Sequence, residues 1–583
     1  MISLFKILTK RQIKFLYLII FLIICSSALD ILGIGIVVPI LTIITSDNLD
    51  EISFLKDIII FLNYPSQEEL IIYSMGLMIF VFTIKSFFVT VLNYIQSKYV
   101  WSIVADLSRR VFNSYLFRSY SFHLDSNSSK LISNTHNEVN QVANGIVGNL
   151  IHLITDFILA TGMIILLIYI QPAGILFVAP LLIIFIYLFL SITKKYVKKW
   201  GDARQQFDQI RMKHLNQGLQ GIKEVKIHGK EDYFANQYSN RTKQYSDMRA
   251  LENFIQKAPS TFIEFIGAVG VSALIVFLIF TGNSPNEIIV TVGVFAAASF
   301  RLMPSVNRVA SVIGGIRFSL AALDTLKKIL NEEYPLIKNR DNIHKEKFIF
   351  EKIQLEKIYF NYESSKTKVL KDINIKILRN QSIGIMGPSG SGKSTLVDLF
   401  LGLLKPSNGE INVDTKNIND FKRIWQSKIG YVPQDIYMLD DTIIKNIAFG
   451  VAEDKIDYLR VKEVLKMAQL NEFINNLPNR YETIIGERGA RISGGQRQRI
   501  GIARALYYDP DIIIFDEATS SLDQITEDKL MEDINRLHGT KTIIIISHRY
   551  STVSNCDYIY VLKNGNIEKM YNNENFNKML LES

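Results

Sequence analysis

Cysteine is almost absent from this chain. Its two copies among 583 residues, Cys25 and Cys556, fall in opposite halves, so there is no disulfide framework and no thiolate pair for a metal. Nothing demands an oxidising compartment. Charge is scarce too: Asp, Glu, Lys and Arg make up 21% of the residues against 48% hydrophobic ones, which excludes a disordered chain and is sparse for a soluble protein of this length. A basic excess is missing from the second part. Residues 1–345 hold 33 Lys and Arg against 24 Asp and Glu, and the remainder holds 32 against 32, so the whole net charge of +9 belongs to the first part. A soluble part without a basic stripe gives no indication of a nucleic-acid partner, whereas Lys and Arg gathered between apolar runs point to a membrane.

Long hydrophobic runs are plentiful. They lie at about 15–44, 70–94, 146–170, 173–192, 259–280 and 287–306. Each approaches or exceeds the roughly 20 residues that cross a hydrocarbon core of about 30 Å. The first run is too long for a signal peptide and lacks a small-residue cleavage site, so it is taken as a retained span. An even number of spans returns the chain to its starting side. The connections 95–145 and 193–256 are long and carry Arg109, Arg110, Lys194, Lys195, Lys198, Lys199, Lys223, Lys226 and Lys230, whereas 45–69, 171–172 and 281–286 share a single Lys. Basic connections stay in the cytoplasm, which places both termini there. Their helical periodicity predicts that spans two to five continue beyond the bilayer as two cytoplasmic hairpins, turning near 123–129 and 228–233. In the outer connection, 52–62 has an apolar face at helical spacing and is expected to lie on the outer leaflet or against the spans.

From residue 348 the pattern changes to short strand-like runs (381–386, 511–515, 542–547) alternating with helical stretches, the mark of an α/β domain with a mainly parallel sheet. This divides the chain into a membrane domain at 1–320, a linker at 321–347 and a soluble domain at 348–583. A strand-like run ends at Gly387-Pro388-Ser389-Gly390-Ser391-Gly392-Lys393-Ser394, followed by Thr395 and a helix-compatible stretch. In that setting G-x-x-x-x-G-K-S is a phosphate loop: glycines let backbone N–H groups converge on phosphates at a helix start, Lys393 adds a positive charge, and Ser394 offers a hydroxyl to Mg²⁺. Further on, the buried-strand run 512–515 ends in Asp516 and Glu517, one carboxylate placed for a metal and the next for polarising water. Ahead of it, Ile492-Ser493-Gly494-Gly495-Gln496 opens a second helix and makes another anion-binding end.

These motifs, in this order across 348–575, resemble the nucleotide-binding domain of ATP-binding cassette (ABC) proteins. The resemblance implies ATP and Mg²⁺ as cofactors, and a dimer in which Ser493, Gly494, Gly495 and Gln496 of one copy close over ATP on the phosphate loop of the other. It also implies that Tyr362 stacks on adenine, Gln434 touches metal and hairpins, Asp523 belongs to a loop joining the sites, His548 senses the terminal phosphate, and Glu487 contacts the partner's hairpin. Glu517, His548 and Gln434 are then the catalytic set, and Ser394, Gln434 and Asp516 the metal set. Six spans before one such domain resemble an exporter-type half-transporter working as a homodimer in the bacterial cytoplasmic membrane; a non-transport ABC ATPase is the remote alternative.

Cargo clues come from charges inside the bilayer, where Lys and Arg are costly. Lys85 and Arg301 lie at similar depth, about 21 to 23 Å at 1.5 Å per residue, with Arg308 two turns lower. They are expected to form a basic ring for an anionic lipid-linked substrate, with an internal ion pair to Glu264, Asp30 or Asp156 as the alternative. The stretch 301–308 and the outer segment resemble PglK-type flippases of lipid-linked oligosaccharides, which implies an undecaprenyl-pyrophosphate-linked glycan carried outward for protein glycosylation. Export of another lipid, a drug or a peptide is the alternative.

Overall fold

The computed structural model describes residues 7–45, 66–170, 172–332, 349–362, 365, 367–518 and 524–582. The outer segment 52–62, Asp523 and most of the linker therefore lie outside the described residues, as does the Arg301 side chain. The chain divides into two compact units, Met1–Arg118 with Ser126–Pro335, and Ser119–Asp125 with Leu336–Ser583.

The first unit is helical: α1 (Lys10–Gly35), α2 (Gln67–Leu116), α4 (Asn149–Ile170), α5 (Pro172–Gln220), α6 (Glu231–Phe280) and α7 (Pro285–Asn331), with α3 (Tyr120–Asp125) assigned to the second unit. Among the described residues, six helical stretches are long and apolar enough to cross a membrane, and five of them run 42 to 50 residues. At 1.5 Å per residue those five are about 63–75 Å long, more than twice a hydrocarbon core, so they continue well past it. The last also does so, which the sequence pattern had suggested only for spans two to five. Ser66 and Ser284 start α2 and α7 with reciprocal caps to Glu69 and Glu287. The chain reverses at Asn127, which caps the next helix through the N–H of Ser129, and at Gly229, whose φ of +57° needs no side chain.

Ahead of α4, the helix contains two π-helical turns, Asn134–Glu138 and Ala143–Gly148. Glu138 in the first accepts two hydrogen bonds from Arg204 of α5, at 3.0 and 2.9 Å, and neither side chain is more than 1% exposed. Leu159, Met163 and Leu167 of α4 bury against Leu274 and Leu278 of α6 and against Val294, Phe295 and Ala298 of α7. Gly201 lets α5 approach the Phe318 carbonyl of α7, where a methyl group would clash with backbone. Glycine permits that approach because it has no Cβ to displace.

The second unit carries two sheets. One has the order β10-β9-β3-β8-β7-β6, built from β3 (Ser382–Met386), β6 (Ile429–Val432), β7 (Ile512–Asp516), β8 (Thr542–Ile546), β9 (Tyr558–Lys563) and β10 (Asn566–Asn572). All its pairings are parallel except β9 with β10, and β3, β7 and β8 are buried along their whole length, as strands covered on both faces must be. The other, β2-β1-β4-β5, is antiparallel throughout and was not anticipated: β1 (Lys352–Phe360), β2 (Leu370–Leu378), β4 (Asn408–Val413) and β5 (Lys416–Asn417). Connections such as the two residues between β4 and β5 are too short for the crossover a parallel pair requires.

Candidate active site

The phosphate loop joins β3 to α8 (Lys393–Phe400). Gly390 and Gly392 sit at φ +77° and +105°, in the region L side chains avoid, and Gly392 is the residue from which α8 starts. Gly387 has the Leu562 carbonyl where a side chain would stand. Lys393 is 9% exposed and its Nζ donates to the carbonyls of Gly387 at 2.9 Å and Pro388 at 3.1 Å, holding the loop closed on itself. The loop, with Ser389, Ser394 and Thr395, lines a cleft of about 440 Å³ that also contains Gln434, Glu517 and His548. Residues spread over 160 positions of sequence thus meet in one place.

The carboxylates arrive on β7. Asp516 is the last residue of that strand, 8% exposed, and accepts a hydrogen bond from the Tyr431 hydroxyl at 3.2 Å. Burial, and after it the neighbouring Glu517 charge, pushes the Asp516 carboxyl above the usual range, while the Tyr431 hydroxyl and Lys393 pull it back. Glu517 turns out of the strand with φ +50°, its N–H bonded to the Ile546 carbonyl at 2.9 Å. The Gln434 side-chain amide donates to its Oε2 at 2.9 Å, and His548 Nδ1 stands 3.7 Å from Oε1. A carboxylate held this way beside a phosphate-binding helix start is placed to take a proton from water attacking a phosphate.

Tyr362 lies next to the loop, its hydroxyl 3.0 Å from that of Thr395 and its ring edge-on to Phe360. Ser391 Oγ is buried without a hydrogen-bond partner among the described residues. Ser493 caps α9 (Gly494–Tyr507): its Oγ accepts from the Gln496 N–H at 3.2 Å, and the Gln496 side chain accepts from the Ser493 N–H at 2.9 Å. That helix start opens on a different cleft, of about 680 Å³, lined by Gly494, Arg488, Arg497 and Gln498 and sharing only Gln434 with the first. The structure therefore does not bring Ser493, Gly494, Gly495 and Gln496 to the phosphate loop of the same chain. Two residues of the site were missed in the sequence: Tyr431, in register with Ile514 across the β6–β7 ladder, and Asp398 on α8, whose carboxyl is pushed up to about 6 by burial and by Asp516.

Two of the three intramembrane cations form internal ion pairs, the alternative to a basic ring. Lys85 Nζ lies 2.5 Å from Asp30, not at Glu264, and Arg308 forks onto Asp156 with contacts of 2.7 to 3.1 Å. An uncompensated cation in hydrocarbon is costly, and both acids lie on neighbouring spans within reach. Arg308 remains half exposed.

A sequence profile for the ABC transporter transmembrane region matches residues 16–330, and an ABC transporter profile matches 370–520. An ATP-dependent lipid A-core flippase of Saccharophagus degradans is 29% identical over 83% of this chain and 81% of its own length. One from Nitrosococcus oceani is 30% identical over 80% and 77%, and a multidrug export ATP-binding/permease protein of Staphylococcus aureus is 30% identical over 80% of each. A solved bacterial Atm1-family ABC exporter with ATP bound shares the fold, with a TM-score of 0.80 over 98% of both chains at 20% identity. With both profiles matched in order on one chain, this protein belongs to the ABC transporter family, as an exporter-type half-transporter whose ATPase domain drives translocation across a membrane.

Proposed function

We propose that two copies of this chain form a homodimer in the bacterial cytoplasmic membrane and use Mg²⁺-dependent ATP hydrolysis to move a polyprenyl-pyrophosphate-linked oligosaccharide from the cytoplasmic to the outer leaflet. The observation that carries the energetic part is the cleft holding the phosphate loop, Glu517 and His548 on a chain whose described residues include six long apolar helical stretches. The dimer is supported by the separate cleft at the Ser493 helix start, which needs a second copy if it is to close over a bound nucleotide. Both termini on the cytoplasmic side follow from the basic connections.

The donors around the loop suit Mg²⁺. Ser394, Asp516 and the Gln434 Oε1 are hard oxygen ligands, and the Gln434 N–H already donates to Glu517. Among the described residues no group of three His, Cys, Asp or Glu gathers, as befits an ion shared with substrate phosphates. When bound, the ion offsets charge on the β- and γ-phosphates. Lys393 and the loop N–H groups hold those phosphates, Tyr362 supports the adenine, Glu517 takes the proton from attacking water, and His548 holds the terminal phosphate.

The cargo assignment is supported by relatives named as lipid flippases, by the stretch 301–308, and by Arg308, which stays half exposed beside Asp156 and can exchange that carboxylate for a phosphate. Proteoliposomes supplied separately with a polyprenyl-pyrophosphate oligosaccharide, a lipid A-type lipid and a cationic drug test it. ATP-dependent translocation of the first, lost in Glu517→Gln, is expected. Translocation of only the second or third assigns the chain a different cargo.

A further inference from the structure

Apart from the nucleotide clefts, the first unit contains a cavity of about 440 Å³ between α2 and the helix entering α4. Among the described residues its wall holds no Asp, Glu, Lys or Arg. The side chains that matter are Asn93, Gln96 and Trp101 on one face of α2, and Asn144, Asn149 and His152 opposite. Gln96 is 8% exposed, yet its amide makes no hydrogen bond among the described residues. The amide atoms themselves reach the open cavity, where their donors and acceptor are available to a ligand. Asn144 and Asn149 each donate one N–H to a backbone carbonyl, of Asn140 at 3.4 Å and of Gly145 at 2.9 Å, which leaves a second N–H and the side-chain oxygen of each amide for a ligand. Trp101 is 60% exposed, a large ring face at the rim.

The second π turn contributes to this wall. On an α-helix, residues five apart point about 140° away from each other. The i→i+5 spacing of Ala143–Gly148 brings Asn144 and Asn149 into the same cavity instead. The cavity also sits at a chemical boundary, since residues 93–101 straddle the end of the apolar run of span two and 149–152 lie near the start of that of span three, on the side with the basic connections.

Neutral amides that both give and accept hydrogen bonds, with one exposed indole, match a polyhydroxylated ring with a C–H face. They do not match a phosphate, which needs cations, or an apolar drug, which needs a greasy wall. We propose that this cavity is a subsite for the neutral sugars of a glycolipid whose tail remains in the cytoplasmic leaflet; as a cargo subsite it rests on the flippase function proposed above.

The test uses the full-length protein in nanodiscs, with Gln96→Leu, which has no hydrogen bond to lose, and Trp101→Ala, which removes an exposed ring. Three probes are needed: a polyprenyl pyrophosphate bearing a short neutral oligosaccharide, the same lipid without sugar, and the free oligosaccharide. The dissociation constant for the glycan-bearing lipid should rise at least tenfold in each variant while that for the sugar-free lipid stays within twofold. Saturation-transfer signals from the free oligosaccharide should weaken in Trp101→Ala. Equal losses for both lipids, or none for either, overturn the subsite. If wild-type protein binds neither lipid but still contacts the free sugar at Trp101, the cargo assignment fails while the cavity's chemistry stands.

Discussion

Glu517 carries the sharpest prediction because its backbone and its side chain pull in opposite directions. Its φ of +50° is a left-handed conformation that costs a side-chain-bearing residue about 1–2 kcal/mol relative to glycine, and the cost is borne where the carboxylate must leave β7 toward the cleft. Glu517→Gly should therefore raise thermal stability by about 1 kcal/mol and remove hydrolysis together. Glu517→Gln keeps the length, the strain and an oxygen for the Gln434 amide now 2.9 Å away, but has no base to offer. General base catalysis contributes about 10²–10⁴-fold, or roughly 3–5.5 kcal/mol of barrier, so turnover should fall by that factor. ATP affinity should change by less than threefold, because Lys393 and the loop backbone bear the phosphates. Phosphate release at saturating Mg-ATP, a fluorescent nucleotide titration and a melting curve read the three quantities. A Gln variant turning over within tenfold of wild type, or a Gly variant that melts earlier, would refute the reasoning.

Two more outcomes follow from buried charge. Glu138→Ala leaves Arg204 buried and uncompensated and should cost about 3–5 kcal/mol, whereas Glu138→Leu with Arg204→Met should recover most of the loss in a melting curve in detergent; a double variant no better than the single contradicts the pair's role. Asp398, pushed up to about 6 by burial and by Asp516, binds its proton more tightly folded than unfolded, so its contribution to stability is full at acid pH and is lost as pH rises from about 4 to 6. The shift corresponds to about 3 kcal/mol at most, and partial exposure reduces it to about 1. Asp398→Asn should flatten the difference in melting temperature between pH 4.5 and 7, and an unchanged difference assigns the dependence elsewhere.

The nucleotide cleft was legible in sequence where its chemistry is contiguous. Gly387 to Thr395 form a contiguous loop whose proposed binding groups are backbone and one lysine, so local spacing suffices, and Asp516 and Glu517 announce themselves at the end of an apolar strand. Tyr431 did not, because its link to Asp516 depends on the β6–β7 register rather than on neighbours in the chain. Span positions were readable from hydropathy, but the azimuth of each helix was not. Whether Lys85 met Asp30 or Glu264 turns on rotation and packing, for which length and depth carry no information. Antiparallel pairing of β1 with β2 and β4 was likewise hidden, since alternating burial marks a strand and not its partner.

The two π turns before α4 can be viewed as insertions. Each is a helical turn holding one surplus residue, so the pair rotates everything downstream by roughly 200° relative to an unbroken helix. The azimuth of Leu159, Met163 and Leu167 is thus set about ten or more residues upstream of them. Deleting one residue from either turn would leave hydropathy and helix content almost unchanged while swinging that packed stripe about 100° away from α6 and α7. In this helix a one-residue deletion is a larger event than most substitutions, and a pair of compensating deletions and insertions a smaller one.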